Sequence, residues 1–388
     1  MKKILLYNGF SNIMLEVIVW MIYLKNQGWS IAEIALLEGI FTISQAIFEF
    51  PSGIISDKIG HKNALVLGEV ICVLYLITFF FANVHILVYV GFILFALGLS
   101  LISGSDVSIL YESVEESEKQ KYLKYLGYFN FIGILAMALG NASGGWIASY
   151  SWSLMFIIAI LIRIISAIII LSINKDDIKS ASSDDTFKSV IKTFISFVYK
   201  EKDFRWIVLS MSFSSAAITI SYQYGPLIMR NFNISTQLIS TVFGSISLVA
   251  AVLVLILYKI TKYISEDKLI VLLQTFSLGI FSFFLVGNMI FVLVGLIMVN
   301  IIFEMWNILF ENKIQELAYD NARASAISMA TLCESIILTI GSYCISIFSK
   351  ITSLINIVSV LGMILLFTSL VGMLMYTRNK VKVNKMQN

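Results

Sequence analysis

Gly53-Ile54-Ile55-Ser56-Asp57-Lys58-Ile59-Gly60-His61-Lys62 is a short polar turn set between two long apolar runs. Its glycines permit a tight turn and close approach of the flanking segments, and Asp57 can cap a helix N-terminus or pair with a cation. The run before it (about 31–52) and the run after it (about 64–82) each have the roughly 20 apolar residues that a helix needs to cross a bilayer.

Outward from this turn the pattern repeats. Further spans are expected at about 4–26, 86–108, 123–148 and 153–173, then at about 205–228, 236–260, 267–287, 290–312, 323–347 and 353–376. The longest polar stretch, from Asn174 to about Lys202, separates the two sets. The chain thus reads as an all-α membrane protein of twelve spanning helices. Its expected organisation is a six-helix bundle over 1–176, a linker over 177–204 and a second bundle over 205–388.

Composition agrees. A soluble domain is about one-quarter charged, whereas this chain of 388 residues is 13% charged and 59% hydrophobic, with mean hydropathy +0.90. A net charge of +3, spread along the chain, points away from nucleic acid. Cys72, Cys333 and Cys344 lie within apolar runs, at spacings that suit neither a metal site nor a disulfide framework. No cofactor is implied. Met1-Lys2-Lys3 and the apolar run that follows imitate a signal peptide, but no small-residue cleavage site follows, so a retained first span is expected.

Orientation follows from the basic residues, because positive segments stay in the cytoplasm. With both termini inside, all of the 27 Lys and Arg residues except Lys25, Arg163, Arg230 and Lys350 fall on the cytoplasmic side. Leu110-Tyr111-Glu112-Ser113 closes the fourth span and Leu309-Phe310-Glu311-Asn312 the tenth. This echo fits two parallel six-helix repeats.

The turn at 53–62 resembles the signature loop of the major facilitator superfamily, G-x-L-A-D-[RK]-x-G-[RK]-[RK], in residue pattern and in position between the second and third helices. It keeps Gly53, Asp57, Lys58, Gly60 and Lys62, with His61 at a usually basic place. The resemblance implies a secondary transporter working by alternating access, the loop acting as a cytoplasmic gate. Gly127, Gly140, Gly144 and Gly145 in the fifth span resemble the family's antiporter motif, although Ala136 and Asn141 replace a glycine and its proline. Small residues at such spacing also simply let helices pack closely. The arginine that many drug exporters carry in the fourth helix is absent from Tyr89 to Leu101.

Ionisable residues at bilayer depth are costly and mark functional candidates. Asn8, Asn12 and Glu16 recur every four residues and so share one helix face. Asn300, Glu304, Asn307 and Glu311 fall within an arc of about 60°. The resemblance places the first and tenth helices on a central cavity, so Glu16, Asn12, Asn8, Glu304, Asn300 and Asn307 are candidates for binding substrate or protons. Tyr222 and Glu334 join them. Interhelical hydrogen bonding is the competing explanation. An embedded carboxylate can attract a cation or exchange a proton. Glu49, Glu69 and Asp106 read as shallow residues beside the cytoplasmic loop. Arg163 is expected to pair with a carboxylate, or to snorkel if the sixth helix is bounded differently, Pro226 is expected to break or kink the seventh helix, and Trp20 and Trp29 read as an interfacial belt.

No Walker loop, H-E-x-x-H or G-x-S-x-G occurs, so an ATP-driven pump or an enzyme is not expected. The resemblance is nearest to small bacterial efflux proteins. It implies a monomer in the plasma membrane, with protons as coupling ion and the bilayer as partner. Proton-coupled export of small amphipathic or cationic compounds is the leading expectation. Proton-symport uptake of a nutrient and flipping of a lipid or lipid-linked molecule are the alternatives.

Overall fold

The computed structural model describes residues 2–114, 121–173, 202–317 and 323–387. Most of the expected linker lies outside these residues. Among them the chain is helical, without strands: α1 (Lys2–Ser11), α2 (Trp20–Asn26), α3 (Ile31–Ile59), α4 (His61–Thr78), α5 (His85–Ile102), α6 (Ser105–Glu112), α7 (Tyr122–Tyr150) and α8 (Trp152–Leu171). After the linker come α9 (Lys202–Asn231), α10 (Thr236–Thr261), α11 (Glu266–Phe284), α12 (Met289–Leu317), α13 (Arg323–Phe348) and α14 (Leu354–Gln387). Ten helical stretches among the described residues are long and apolar enough to cross a bilayer.

Local chemistry sets several boundaries. Ser30 caps α3 by accepting from the Glu33 N–H, while the Glu33 carboxylate accepts from the Ser30 N–H, a reciprocal capping box. The Ser151 hydroxyl caps α8 by accepting from Leu154. The turn at 53–62 is tighter than its sequence suggests. α3 runs on through Pro51 to Ile59, and Gly60 alone, at φ +87°, reverses the chain into α4. That left-handed conformation is open to glycine and costly for a residue with a Cβ.

The first expected span, 4–26, is not one helix. α1 ends at Ser11, α2 begins at Trp20, and the backbone between them is unwound. No glycine or proline occurs there, so the break has a tertiary cause. Pro226, in contrast, breaks nothing: α9 continues through it to Asn231. Trp29 is fully buried, stacked on His85 and donating to the Ala82 carbonyl at 2.9 Å, and Trp20 is also buried. Neither tryptophan is an interfacial belt residue.

The chain forms two compact units. The first holds α1 to α8 together with 233–248, the opening half of α10. Within this unit α1 packs on α7 and α8, and α4 on α5 and α8. In the second unit α9 is central, touching α12, α13 and α14. Large exposed apolar side chains, such as Phe131, Leu139, Leu161 and Ile168, cover the helices. Lipid accepts such a surface and water does not.

Candidate functional site

The break between α1 and α2 organises the polar interior of the first unit. Asn8 donates to the Phe129 carbonyl of α7 at 2.7 Å. Asn12 donates to the Asn8 backbone and side-chain oxygens at 2.9 and 2.8 Å. Asn8 thus ties α1 to α7, whereas Asn12 bonds back onto Asn8. Glu16 leaves their shared face, because it sits in the unwound stretch. Its side chain is buried at 1% exposure, and its Oε1 has no hydrogen-bond partner.

Two residues that sequence reasoning set aside lie in the same interior. Glu69 of α4, read as a residue beside the loop, is fully buried in protein. It accepts from the Ser11 hydroxyl at 2.6 Å and pairs with the Arg163 guanidinium of α8 at 3.1 Å. Arg163 is 2% exposed, lies in electrostatic range of Glu16, and has one nitrogen, Nη2, without a partner. A base at bilayer depth signals that some carboxylate must meet it. With partners 94 positions apart, no local pattern singles out which one.

The glycines of α7 explain how a broken helix fits here. A Cβ at Gly140 would stand 2.8 Å from the Met14 nitrogen, and one at Gly144 only 1.9 Å from the Leu15 carbonyl oxygen. The unwound backbone therefore lies directly on α7. The opposite side of the same stretch receives 236–248. There the Ser240 hydroxyl accepts from the Gly145 N–H at 2.8 Å and donates to the Asn141 carbonyl, two groups that an undisturbed helix pairs with each other. Trp146 adds a bond to Thr241 at 2.9 Å. Close packing accounts for Gly140, Gly144 and Gly145, whereas a Cβ at Gly127 would meet nothing within 4 Å.

At the turn, the His61 Nε2 lies 3.5 Å from the Glu112 carboxylate and 4.0 Å from Asp57. Lys62 does not reach these acids. It donates to the carbonyls of Leu171, at 2.9 Å, and Ile173, closing the C-terminus of α8, where Lys3 also donates to Ser172 at 2.6 Å. A cation here meets the negative end of the helix dipole. Lys62→Met should lower the stability of purified protein by about 0.3–1 kcal/mol, read from denaturation midpoints. Gly53 and Lys58 are exposed on the last turns of α3.

In the second unit, the Thr219 hydroxyl of α9 donates to Glu334 of α13 at 3.2 Å. Asn300 is buried and donates to the Leu296 carbonyl of its own helix at 2.6 Å. Asn307 and Tyr222 are half-buried. Glu304 belongs to α12, but its side chain lies outside the described residues. Lys313 is the hub of an ionic cluster with Glu266, Asp267 and Glu316, at 3.1–3.3 Å. It joins the end of α12 to the start of α11, as His61 and Glu112 join α4 to α6, with the signs exchanged. No group of three or more His, Cys, Asp or Glu that could hold a metal occurs among the described residues.

A lipid-coated helical protein with two bundles, acids buried inside it and charged turns between helices defines a polytopic membrane carrier. Residues 4–342 match the Major Facilitator Superfamily, and the chain belongs to it. It is a multi-pass secondary transporter. It is 22% identical over 276 residues to the uncharacterized MFS-type transporter YxaM of Bacillus subtilis, covering 70% of this chain and 68% of that protein. Its fold is similar to that of a mutant of the nucleoside transporter NupG (TM-score 0.80, 12% identity, 97% of this chain and 98% of the other). A D-xylose–proton symporter is also similar (TM-score 0.71, 12% identity, 95% and 94%).

Proposed function

We propose that the protein exports small amphipathic or cationic compounds in exchange for protons, by alternating access of two six-helix bundles (1–176 and 205–388) joined by the linker 177–204. It works as a monomer in a bacterial plasma membrane with both termini in the cytoplasm. Glu16, Glu304 and Glu334 are the candidates for proton or cation binding. Asp57, His61 and the neighbouring turn form the cytoplasmic gate.

The observation that carries this reading is Glu16, a buried carboxylate with an unpartnered oxygen in the unwound middle of the first span. A group so placed is expensive unless it binds something. The excess of embedded acids suits a cation or a proton better than an anion. NupG and the xylose symporter share only the fold with this chain, so they assign it neither cargo nor direction.

The test uses everted membrane vesicles acidified inside and challenged with a panel of lipophilic cations and neutral amphiphiles. An antiporter releases lumenal protons as substrate enters, so a substrate should collapse the gradient in the wild type and leave it intact in Glu16→Gln. A proton symporter acting on the same side drives no such collapse. A silent panel would move the assignment to nutrient uptake or lipid flipping.

A further inference from the structure

The interior of the first unit contains three carboxylates that the gate does not use, Glu16, Glu38 and Glu69, and one guanidinium, Arg163, which pairs with Glu69 and acts on Glu16. Glu69 is fully satisfied on the face it shows to Ser11 and Arg163. Two atoms of opposite character are left over, the Nη2 of Arg163 and the Oε1 of Glu16, both buried and both without hydrogen-bond partners. Glu16 faces Arg163 of α8 and acts on Cys72 and Tyr75 of α4, while Glu69 of α4 shares Arg163 and Cys72 with it. Glu38 of α3 acts on Tyr75, and Tyr7 of α1 lies in the field of Glu69 and Arg163. From Phe129 to Ser149, α7 contains no ionisable side chain.

We infer that Glu16, Glu69 and Arg163 form a single-proton binding site inside the first unit, with Glu16 as the proton acceptor and Arg163 shared between the two carboxylates. With both acids ionised, the trio carries one uncompensated negative charge out of reach of water, an arrangement that burial penalises strongly. One proton on Glu16 neutralises it: an O–H bond forms on the Glu16 carboxylate, and Arg163 rests on Glu69 alone. When that proton leaves, the free Nη2 of Arg163 can turn to Glu16, linking the unwound stretch to α8 as well as α4. Proton binding and the α1–α2 break are thereby coupled. The role of this site in transport rests on the proton-coupled reading above, but its chemistry is measurable with neither substrate nor gradient.

The experiment is infrared difference spectroscopy on purified protein in lipid vesicles, stepped between alkaline and acidic pH. Acidification should produce a carboxylic-acid C=O band that disappears completely in Glu16→Gln. The same band should also be lost in Glu69→Gln, although Glu69 never holds the proton, because Arg163 then pairs with Glu16 and keeps it ionised. Survival of the band in Glu69→Gln, or no band that Glu16→Gln removes, would overturn the assignment. A second readout tolerates failure of either variant to fold. In Cys333→Ser/Cys344→Ser protein, the S–H stretch of Cys72, which lies in the field of all three groups, should shift in step with the C=O band. A constant S–H frequency through that titration would also overturn it. A failed vesicle assay for export leaves these spectra untouched, so the two proposals stand or fall separately.

Discussion

Gly144→Ala should cost about 3 kcal/mol or more and leave little folded transporter. The added methyl would stand 1.9 Å from the Leu15 carbonyl oxygen, and a backbone atom cannot swing aside as a flexible side chain does. Overpacking a tight interior usually costs about 1–3 kcal/mol, and here relief requires α7 to move off the unwound stretch. Gly127→Ala is the control. It lies in the same helix with open space at its Cβ, so the gain in helix propensity, about 0.5–1 kcal/mol, should make that variant neutral or slightly more stable. Thermal challenge followed by size-exclusion chromatography in detergent separates the two. Equal melting of both variants would mean that α7 does not lie on Met14 and Leu15.

Arg163→Met should be comparably damaging, at about 3–5 kcal/mol, because it strands the Glu69 carboxylate in a buried site. The diagnostic is the double variant Glu69→Met/Arg163→Met. Replacing both members of a buried pair by apolar residues of similar volume is often neutral, so most of the lost stability should return. A double variant as unstable as the single one would show that Arg163 acts through some other contact. The cycle also measures the coupling between the two residues without assuming that either energy is additive.

Much of the architecture was legible in the residues. Membrane class, the all-helical fold and the family followed from the lengths of the apolar runs and the turn containing Asp57 and Gly60. These are local or statistical properties, and a chain cannot hide them. The polar interior was less legible. The Asn8–Asn12–Glu16 stripe presumed a continuous helix, and nothing local announces the unwinding that removes Glu16 from it. Glu69 drew little notice because it follows closely on the turn at 53–62, yet it is fully buried in protein and faces Arg163.

What the sequence by itself determined was that this chain must live in lipid as a bundle of apolar helices, and that Arg163 is a base among them in search of a partner. Hydropathy and charge act residue by residue against a uniform solvent, so their consequences can be read along the chain. Only the tertiary structure decided which acid that partner is, where the first span breaks, and why Gly140, Gly144 and Gly145 are glycines. Each of these depends on atoms brought within a few ångströms from helices far apart in sequence: α4 and α8 for the ion pair, α7 for the unwound backbone, and 236–248 for the far side of α7. Close packing and desolvation are properties of such meetings.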